Sequence, residues 1–203
     1  NKIIELQKIF DNRKIITFAS TRDGEEEILL NNIDLNQDVI YLIIPRHPER
    51  FIELENLLKK NNITYCKRSE NKKINSETKV VIGDSMGEML AYYSLSYLVV
   101  IGGSFKNFGG QNPIEALYME KPVIFGSSMF NFMDVAKNSV GIGCAIQVDS
   151  PTELKVLINN LVEDDDRYNI LKNHCLEFIN QYCGASESVF SIIFKNVSCE
   201  TFN

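Results

Sequence analysis

The 203-residue chain predicts an α/β fold, a doubly wound, Rossmann-like parallel sheet in a single domain. Three observations carry that prediction. Short apolar runs alternate with amphipathic helical segments almost throughout, the pattern of repeated βα units. The run Leu95 to Ile101 (LSYLVVI) has the length of a buried strand and leads at once into Gly102 to Ala116 (GGSFKNFGGQNPIEA). There two Gly-Gly pairs flank a short loop and a helix start follows. Several other apolar runs also end in polar, glycine-bearing loops, which such a sheet gathers at one edge.

The elements follow in order. Asn1 to Phe10 reads as a helix tail or a linker, with residues 1–12 as an interdomain linker or helix tail. Lys14 to Ala19 (KIITFA) is a strand and Glu25 to Asn31 a helix. Val39 to Ile44 (VIYLII) is a strand that Pro45 stops. Arg50 to Lys60 is a helix with Phe51, Leu54, Leu57 and Leu58 on one face. Ile63 to Cys66 is a short strand, Lys67 to Ser76 a polar, solvated loop. Lys79 to Ile82 is a strand and Gly87 to Tyr93 a helix. Leu95 to Ile101, the glycine loop and the helix Pro113 to Met119 come next. Pro122 to Phe125 is a strand, Phe130 to Ala136 a short helix and Cys144 to Val148 the last strand. Ser150, Pro151 and Glu153 cap and open a helix that runs to Leu161. Asp164 to Asp166 open another, which ends near Cys183 and Gly184. Ser186 to Lys195 is helical, and residues 186–203 form a C-terminal helix and tail.

Composition narrows the function. Net charge is −6, from 21 basic and 27 acidic side chains. An acidic chain makes a poor nucleic-acid sheath, so no nucleic-acid partner is expected. No apolar run reaches the roughly 18 to 20 residues that span a bilayer. The five cysteines have no C-x-x-C spacing and there are only two histidines. Reduced thiols are therefore expected, without a zinc site. His174 reads as structural.

The loops carry the chemistry. Ser20 to Glu25 (STRDGE), Pro45 to Arg50 (PRHPER), Gly83 to Glu88 (GDSMGE) and the double-glycine loop each follow a strand. Glycines let backbone N–H groups approach a ligand, and a helix start adds free donors and a positive dipole end. Such a loop suits an anion, above all a phosphate. Together the four loops offer hydroxyls, guanidinium groups, carboxylates and N–H donors, a mixture that suits a nucleotide. A dinucleotide oxidoreductase is disfavoured, because STRDGEE and not G-x-G-x-x-G follows the first strand.

In this order, ASTRDGEE, PRHPERF, GDSMGEM and GGSFKNFGGQNPIEA resemble the 3-deoxy-D-manno-octulosonic acid (Kdo) transferases, GT-B glycosyltransferases of lipopolysaccharide core biosynthesis. The resemblance runs from about Lys14 to Cys183 and corresponds to the C-terminal, nucleotide-sugar half. It implies that the donor is CMP-Kdo, with no metal or other cofactor, and that the acceptor is a lipid A precursor (lipid IVA). It also implies that an N-terminal half, beyond this chain, holds the acceptor site, the membrane-associating surface and the catalytic carboxylate base. The whole enzyme would work at the cytoplasmic face of the bacterial inner membrane, and this soluble half would be inactive alone. Gln111 stands where many members have His; it can donate and accept but cannot titrate. Two alternatives remain: the donor domain of another GT-B enzyme that uses a UDP- or GDP-sugar, and a non-catalytic nucleotide-binding module.

The resemblance also implies residue roles. Gly102, Gly103 and Ser104 would surround the CMP phosphate. Gly110, Gln111 and Asn112 would form the helix start that faces phosphate or sugar, although Asn112 also reads as a plain N-cap before Pro113. Glu115 would accept the ribose hydroxyls, or serve as a helix-start charge. Arg46 would hold the phosphate or the Kdo carboxylate, or reach the base. His47 reads equally as a loop-fixing hydrogen bonder or a ligand contact. Met86 and Gly87 would floor the cytosine, or pack in the core. Ser20, Thr21 and Glu25 would line the cleft towards the other half, or cap the following helix. Arg50 reads as a partner of Glu49 or solvent, and Glu88 as a helix-start charge. Asn131 and Phe132 lie in a loop near the sugar.

Overall fold

The computed structural model describes residues 2–183. Seven strands form one sheet: β1 (Lys14–Thr21), β2 (Val39–Pro45), β3 (Tyr65–Lys67), β4 (Val80–Ile82), β5 (Leu98–Ile101), β6 (Val123–Phe125) and β7 (Ala145–Gln147). Every pairing is parallel and the order is β3-β4-β2-β1-β5-β6-β7. The helices are α1 (Lys2–Ile9), α2 (Glu25–Leu30), α3 (Arg50–Lys60), α4 (Met89–Leu95), α5 (Ile114–Tyr118), α6 (Met133–Ile142), α7 (Pro151–Glu163) and α8 (Asp165–Cys183). The doubly wound sheet read from the sequence is the fold. The segment 186–203 lies outside the described residues.

Alternation along the strands builds three apolar clusters, one on one face of the sheet and two on the other. Ile16, Phe18, Tyr41, Ile43, Val80, Ile82, Leu98 and Val100 meet Leu29 of α2, Leu54 and Leu58 of α3, and Leu154, Ile158 and Leu161 of α7. Their neighbours Ile15, Ile40, Leu42, Ile44 and Val81 meet Leu6 and Ile9 of α1 and Tyr92 of α4. Val99, Ile101, Val123 and Phe125 meet Ala116 and Leu117 of α5, Ala136 of α6, and Cys175 and Phe178 of α8. With both faces covered, the strands read as continuous apolar runs. Each Leu or Ile side chain so buried contributes about 1.5–3 kcal/mol. Leu6 of α1 is fully buried against this core, so the helix at the start of the chain packs on the sheet.

The chain adds β2, β3 and β4 on one side of β1, then crosses to add β5, β6 and β7 on the other. The helix after β1 packs on one face of the sheet and the helix after β5 on the opposite face. The two connections therefore diverge between β1 and β5, and a crevice opens beyond their carboxyl ends.

Several boundaries differ from the sequence reading. Leu95 closes α4 instead of opening β5, because Ser96 returns its N–H to Tyr92 and Tyr93 and its hydroxyl to the Tyr92 carbonyl. Gly87 has φ +71° and stays outside α4, which starts two residues later at Met89. The segment Phe130–Phe132 is a 3-10 turn, and the helix is Met133–Ile142. In α7 the Ser150 hydroxyl accepts the Glu153 N–H at 3.1 Å and the Glu153 carboxylate accepts the Asp149 N–H at 2.8 Å, so that cap is as read. Three cysteines, Cys66, Cys144 and Cys175, are free thiols. His174 sits 3.3 Å from the Gly143 carbonyl, a structural contact.

The stretch after β3 is not simply solvated. Arg68 is buried, and its Nε and Nη2 donate to the two Glu88 oxygens, each at 3.0 Å. Glu88 also accepts from the Ser85 hydroxyl, and Asp84 accepts from the N–H and hydroxyl of Ser69 at 2.8 and 2.6 Å. Glu88 is thus the buried anchor of the β4–α4 loop rather than a helix-start charge. Breaking a buried pair strands one charge in low dielectric. Arg68→Met should lower stability in urea unfolding by about 3–5 kcal/mol, and adding Glu88→Leu should recover most of that loss. A single-variant loss below about 1 kcal/mol, the range of an exposed pair, would contradict the assignment.

Candidate functional site

The loops after β1, β2, β4, β5 and β6 all leave the same edge of the sheet, as parallel strands require. Two of them meet at the point where the topology reverses. Gly102 donates to the Ala19 carbonyl at 2.8 Å, and a Cβ on Gly102 would collide with the Ser20 carbonyl, so only glycine lets these backbones touch. Ser20 accommodates the contact in a left-handed conformation, φ +56°, at a register shift between Ala19 and Thr21.

The glycine loop then folds back on itself. Gln111 donates to the Gly102 carbonyl at 3.0 Å and Gly110 to the Gly103 carbonyl at 2.8 Å. Its N–H groups, expected to face a phosphate, are engaged from within. The Glu25 carboxylate accepts the Gly103 N–H at 2.6 Å and the Arg22 N–H at 2.8 Å on one oxygen, and the Phe105 N–H at 2.9 Å on the other. Burial raises the Glu25 pKa above 4.5, against the lowering pull of these three N–H donors. So Glu25 does not line the cleft; it fills the cradle beneath the loop. Each such charge-assisted bond contributes about 1.5–3 kcal/mol.

Other expected ligand groups are also spent inside the chain. Ser104 is fully buried, and its hydroxyl donates to Ile101 at 2.6 Å and accepts from Gly126 at 2.9 Å. Thr21 is fully buried and donates to Glu26 at 2.8 Å. Glu26 in turn holds Arg50 at 2.8 Å, and Arg50 also holds Asp23 and Glu53 at 2.8 and 2.9 Å. Arg50 therefore braces the β1 loop against α3, in place of the Glu49 or solvent partner expected for it. Gly102, Gly103, Ser104 and Thr21 form the scaffold behind the crevice.

The groups left facing outward come from all five loops at this edge. Glu115 is half-buried in the first turn of α5; burial raises its pKa and the charge of Arg46 pulls it back. Arg46 is exposed, with its N–H on the Thr21 carbonyl at 2.9 Å. Gln111 and Asn112 are half-buried, and the Asn112 side chain accepts the Ile114 N–H at 3.0 Å. Asn112 thus caps the chain entering α5, while Pro113 sits one position ahead of the helix rather than in it. With only five residues, α5 carries a small dipole, so side chains rather than the helix end supply most of the polarity here. Met86 is 68% exposed and Gly87 is exposed, which removes the core-packing reading for both. The His47 carbonyl accepts the Arg50 N–H, whereas its imidazole is exposed and bonds nothing among the described residues. Phe130 and Met133 stand 54 and 64% exposed beside this edge, next to Asn131, whose amide donates to the Phe108 carbonyl at 3.0 Å. Sequence reasoning passed over Arg22 and Phe108, whose guanidinium and ring lie 4.9 Å apart in the crevice. The signal for Arg22 was its basic charge within the STRDGE loop. Among the described residues no cluster of His, Cys, Asp and Glu could hold a metal.

The family model "Glycosyl transferases group 1" matches residues 31–176. The chain belongs to this family. This group 1 glycosyltransferase chain is 33% identical over 198 residues to the 3-deoxy-D-manno-octulosonic acid transferase of Haemophilus influenzae, across 95% of this chain and 46% of that protein. It is 36% identical over 152 residues to a bifunctional glycosyltransferase/methyltransferase of Fusobacterium nucleatum, across 74% and 24% respectively. Among solved structures it superposes on the C-terminal CMP-Kdo binding domain of WaaA from Acinetobacter baumannii with TM-score 0.77 and 26% identity, over 85% of this chain and 92% of that domain. The resemblance to Kdo transferases read from the four loops is therefore borne out, and so is the GT-B glycosyltransferase fold. The chain spans less than half the length of the relatives named here.

The Glu25 cradle makes two predictions. Glu25→Ala leaves buried N–H donors without acceptors and should cost about 1–3 kcal/mol for each donor that water cannot reach, read from urea unfolding. The pH sign also follows. A raised pKa means the folded chain holds a proton where the unfolded chain has released it. Stability from this group is full below 4.5 and falls as pH rises through the folded value. Glu25→Gln should flatten that slope, measured as unfolding midpoints across the acid range, while an unchanged slope would assign it to other groups.

Proposed function

We propose that this chain is the donor-binding half of a Kdo transferase that takes CMP-Kdo and passes Kdo to a lipid A precursor. The observation that carries the reading is the set of polar groups at the topological switch point: half-buried Gln111, Asn112 and Glu115 at the start of α5, with the charge of Arg46 acting on Glu115 from the β2 loop. The sequence similarity to Kdo transferases along 95% of the chain supports it.

In this reading the Glu115 carboxylate accepts the two ribose hydroxyls. Gln111 and Asn112 donate to the phosphate through their amides. Exposed Met86 and Gly87 offer a soft, flat surface to the cytosine. Arg46 adds positive charge near the phosphate and offsets part of the effect of burial on Glu115. As the acceptor hydroxyl attacks the anomeric carbon of Kdo, the bond to the CMP phosphate breaks and its electrons pass to the phosphate oxygens. Preorganised cationic and amide donors lower that barrier. The base that takes the acceptor proton, the acceptor site and the membrane-associating surface belong to the other half, at the cytoplasmic face of the inner membrane. Among the described residues no helix is long and apolar enough to cross a membrane. This chain alone is expected to bind donor without transferring it.

Calorimetry tests the reading. CMP should bind more tightly than UMP, and Glu115→Ala should weaken CMP by about tenfold to a hundredfold, the loss of one or two charged hydrogen bonds. Equal affinity for CMP and UMP would leave only a generic nucleotide domain. The pH dependence has a defined sign. Because the Glu115 pKa is raised, the carboxylate protonates before an ordinary glutamate does as pH falls. CMP affinity should therefore drop above pH 4.5 by more than protonation of the ligand's own phosphate, at about pH 6, accounts for, and Glu115→Gln should remove that excess.

A further inference from the structure

We propose that Arg22 recognises the donor's acidic sugar, its guanidinium taking a carboxylate carried on the sugar's anomeric carbon. The proposal rests on the CMP-Kdo reading above and deepens it.

Arg13, Arg50 and Arg68 are all committed to ion pairs within the chain. Arg22 makes none among the described residues, although it is half-buried at the mouth of the crevice. It is nevertheless held in place. Glu25 takes the Arg22 and Gly103 N–H groups on one oxygen, which clamps the β1 loop to the glycine turn. The guanidinium carbon lies 4.9 Å from the Phe108 ring centre, a cation–π contact that fixes the side chain without neutralising it. The neighbouring acid, Asp23, is drawn off to Arg50 at 2.8 Å. Lys106 adds a second positive charge, its Nζ on the Asp23 carbonyl at 2.8 Å and 5.8 Å from the Phe108 ring. The result is a positioned cation without a counter-ion, the condition in which a guanidinium binds a carboxylate by two parallel hydrogen bonds.

Its place in the crevice selects the ligand group. Gly103 has no side chain, and a Cβ there would lie 3.3 Å from Gln111 Nε2 and 3.5 Å from Arg22 Cγ. Arg22 and Gln111 thus share the space over Gly103, while Glu115 lies beyond Asn112 in the first turn of α5, where the charge of Arg46 acts on it. Ribose, phosphate and sugar follow one another along a nucleotide-sugar. With ribose at Glu115 and phosphate at Gln111, the sugar's first carbon comes to Arg22. A UDP- or GDP-hexose has no carboxylate there, so Arg22 would discriminate against it.

The test is calorimetry on this chain with CMP and with CMP-Kdo, using Arg22→Gln and Arg22→Lys. Circular dichroism and the urea midpoint verify that the variants fold. Arg22→Gln should weaken CMP-Kdo by about tenfold or more, the loss of a charge-assisted bond, and leave CMP nearly unchanged. Arg22→Lys should restore part of the difference. Wild-type binding of both ligands with an equal loss, or no loss, in Arg22→Gln overturns the role of Arg22 and leaves the donor reading standing. Failure of the wild-type chain to bind either ligand overturns both.

Discussion

The buried Glu25 carboxylate is the constraint on which the crevice depends. A charged group placed in the interior is costly unless donors converge on it. Here three backbone N–H groups from two loops do so, and its raised pKa records that they offset burial only in part. The same contacts lock the β1 loop to the glycine turn at the point where the sheet reverses direction. Below it, Glu26 and Arg50 tie the start of α2 to α3, so two adjacent carboxylates are neutralised by different means. The chain thus supplies its own anion to the N–H groups of Gly103 and Phe105 in the glycine loop.

That substitution shapes the rest of the site. With the N–H groups of Gly102, Gly103, Gly110 and Gln111 engaged within the chain, much of the polarity towards the crevice comes from the side chains of Gln111, Asn112, Arg46 and Glu115, and from Arg22 over Phe108. Arg22 lies beside Gly103 and the charge of Arg46 acts on Glu115, which suits a ligand with negative charge at two places along its length. The β4 loop offers exposed Met86 at the side, and its buried anchor, Arg68 with Glu88, keeps that residue out of the core. A single rigid edge thus presents apolar, anionic and cationic groups in sequence.

Much of this was legible in the chain. Apolar runs alternating with helical patterns set the parallel sheet, and Ser150-Pro151 with Glu153 set the start of α7. The glycine pairs and the residues around Asn112 and Glu115 marked the right loop. What stayed hidden was the partner of each polar group. A glutamate three residues after Arg22 looks the same whether it faces solvent or folds under a loop far along the chain. Only the close approach of β1 and β5, which brings Gly103 within 2.6 Å of Glu25, decides it. For the same reason Ser104 read as a ligand hydroxyl, while the fold turns it inward to Ile101 and Gly126. Arg68 read as one charge in a polar loop, because its partner Glu88 lies on the far side of β4.

The most direct measurement is a crystal structure of this chain with CMP bound. The account predicts ribose on Glu115 and phosphate against Gln111 and Asn112. It also predicts that the Glu25 carboxylate keeps the N–H groups of Gly103 and Phe105. A phosphate seated on those N–H groups with Glu25 displaced, or CMP bound away from the β1–β5 crevice, would contradict it.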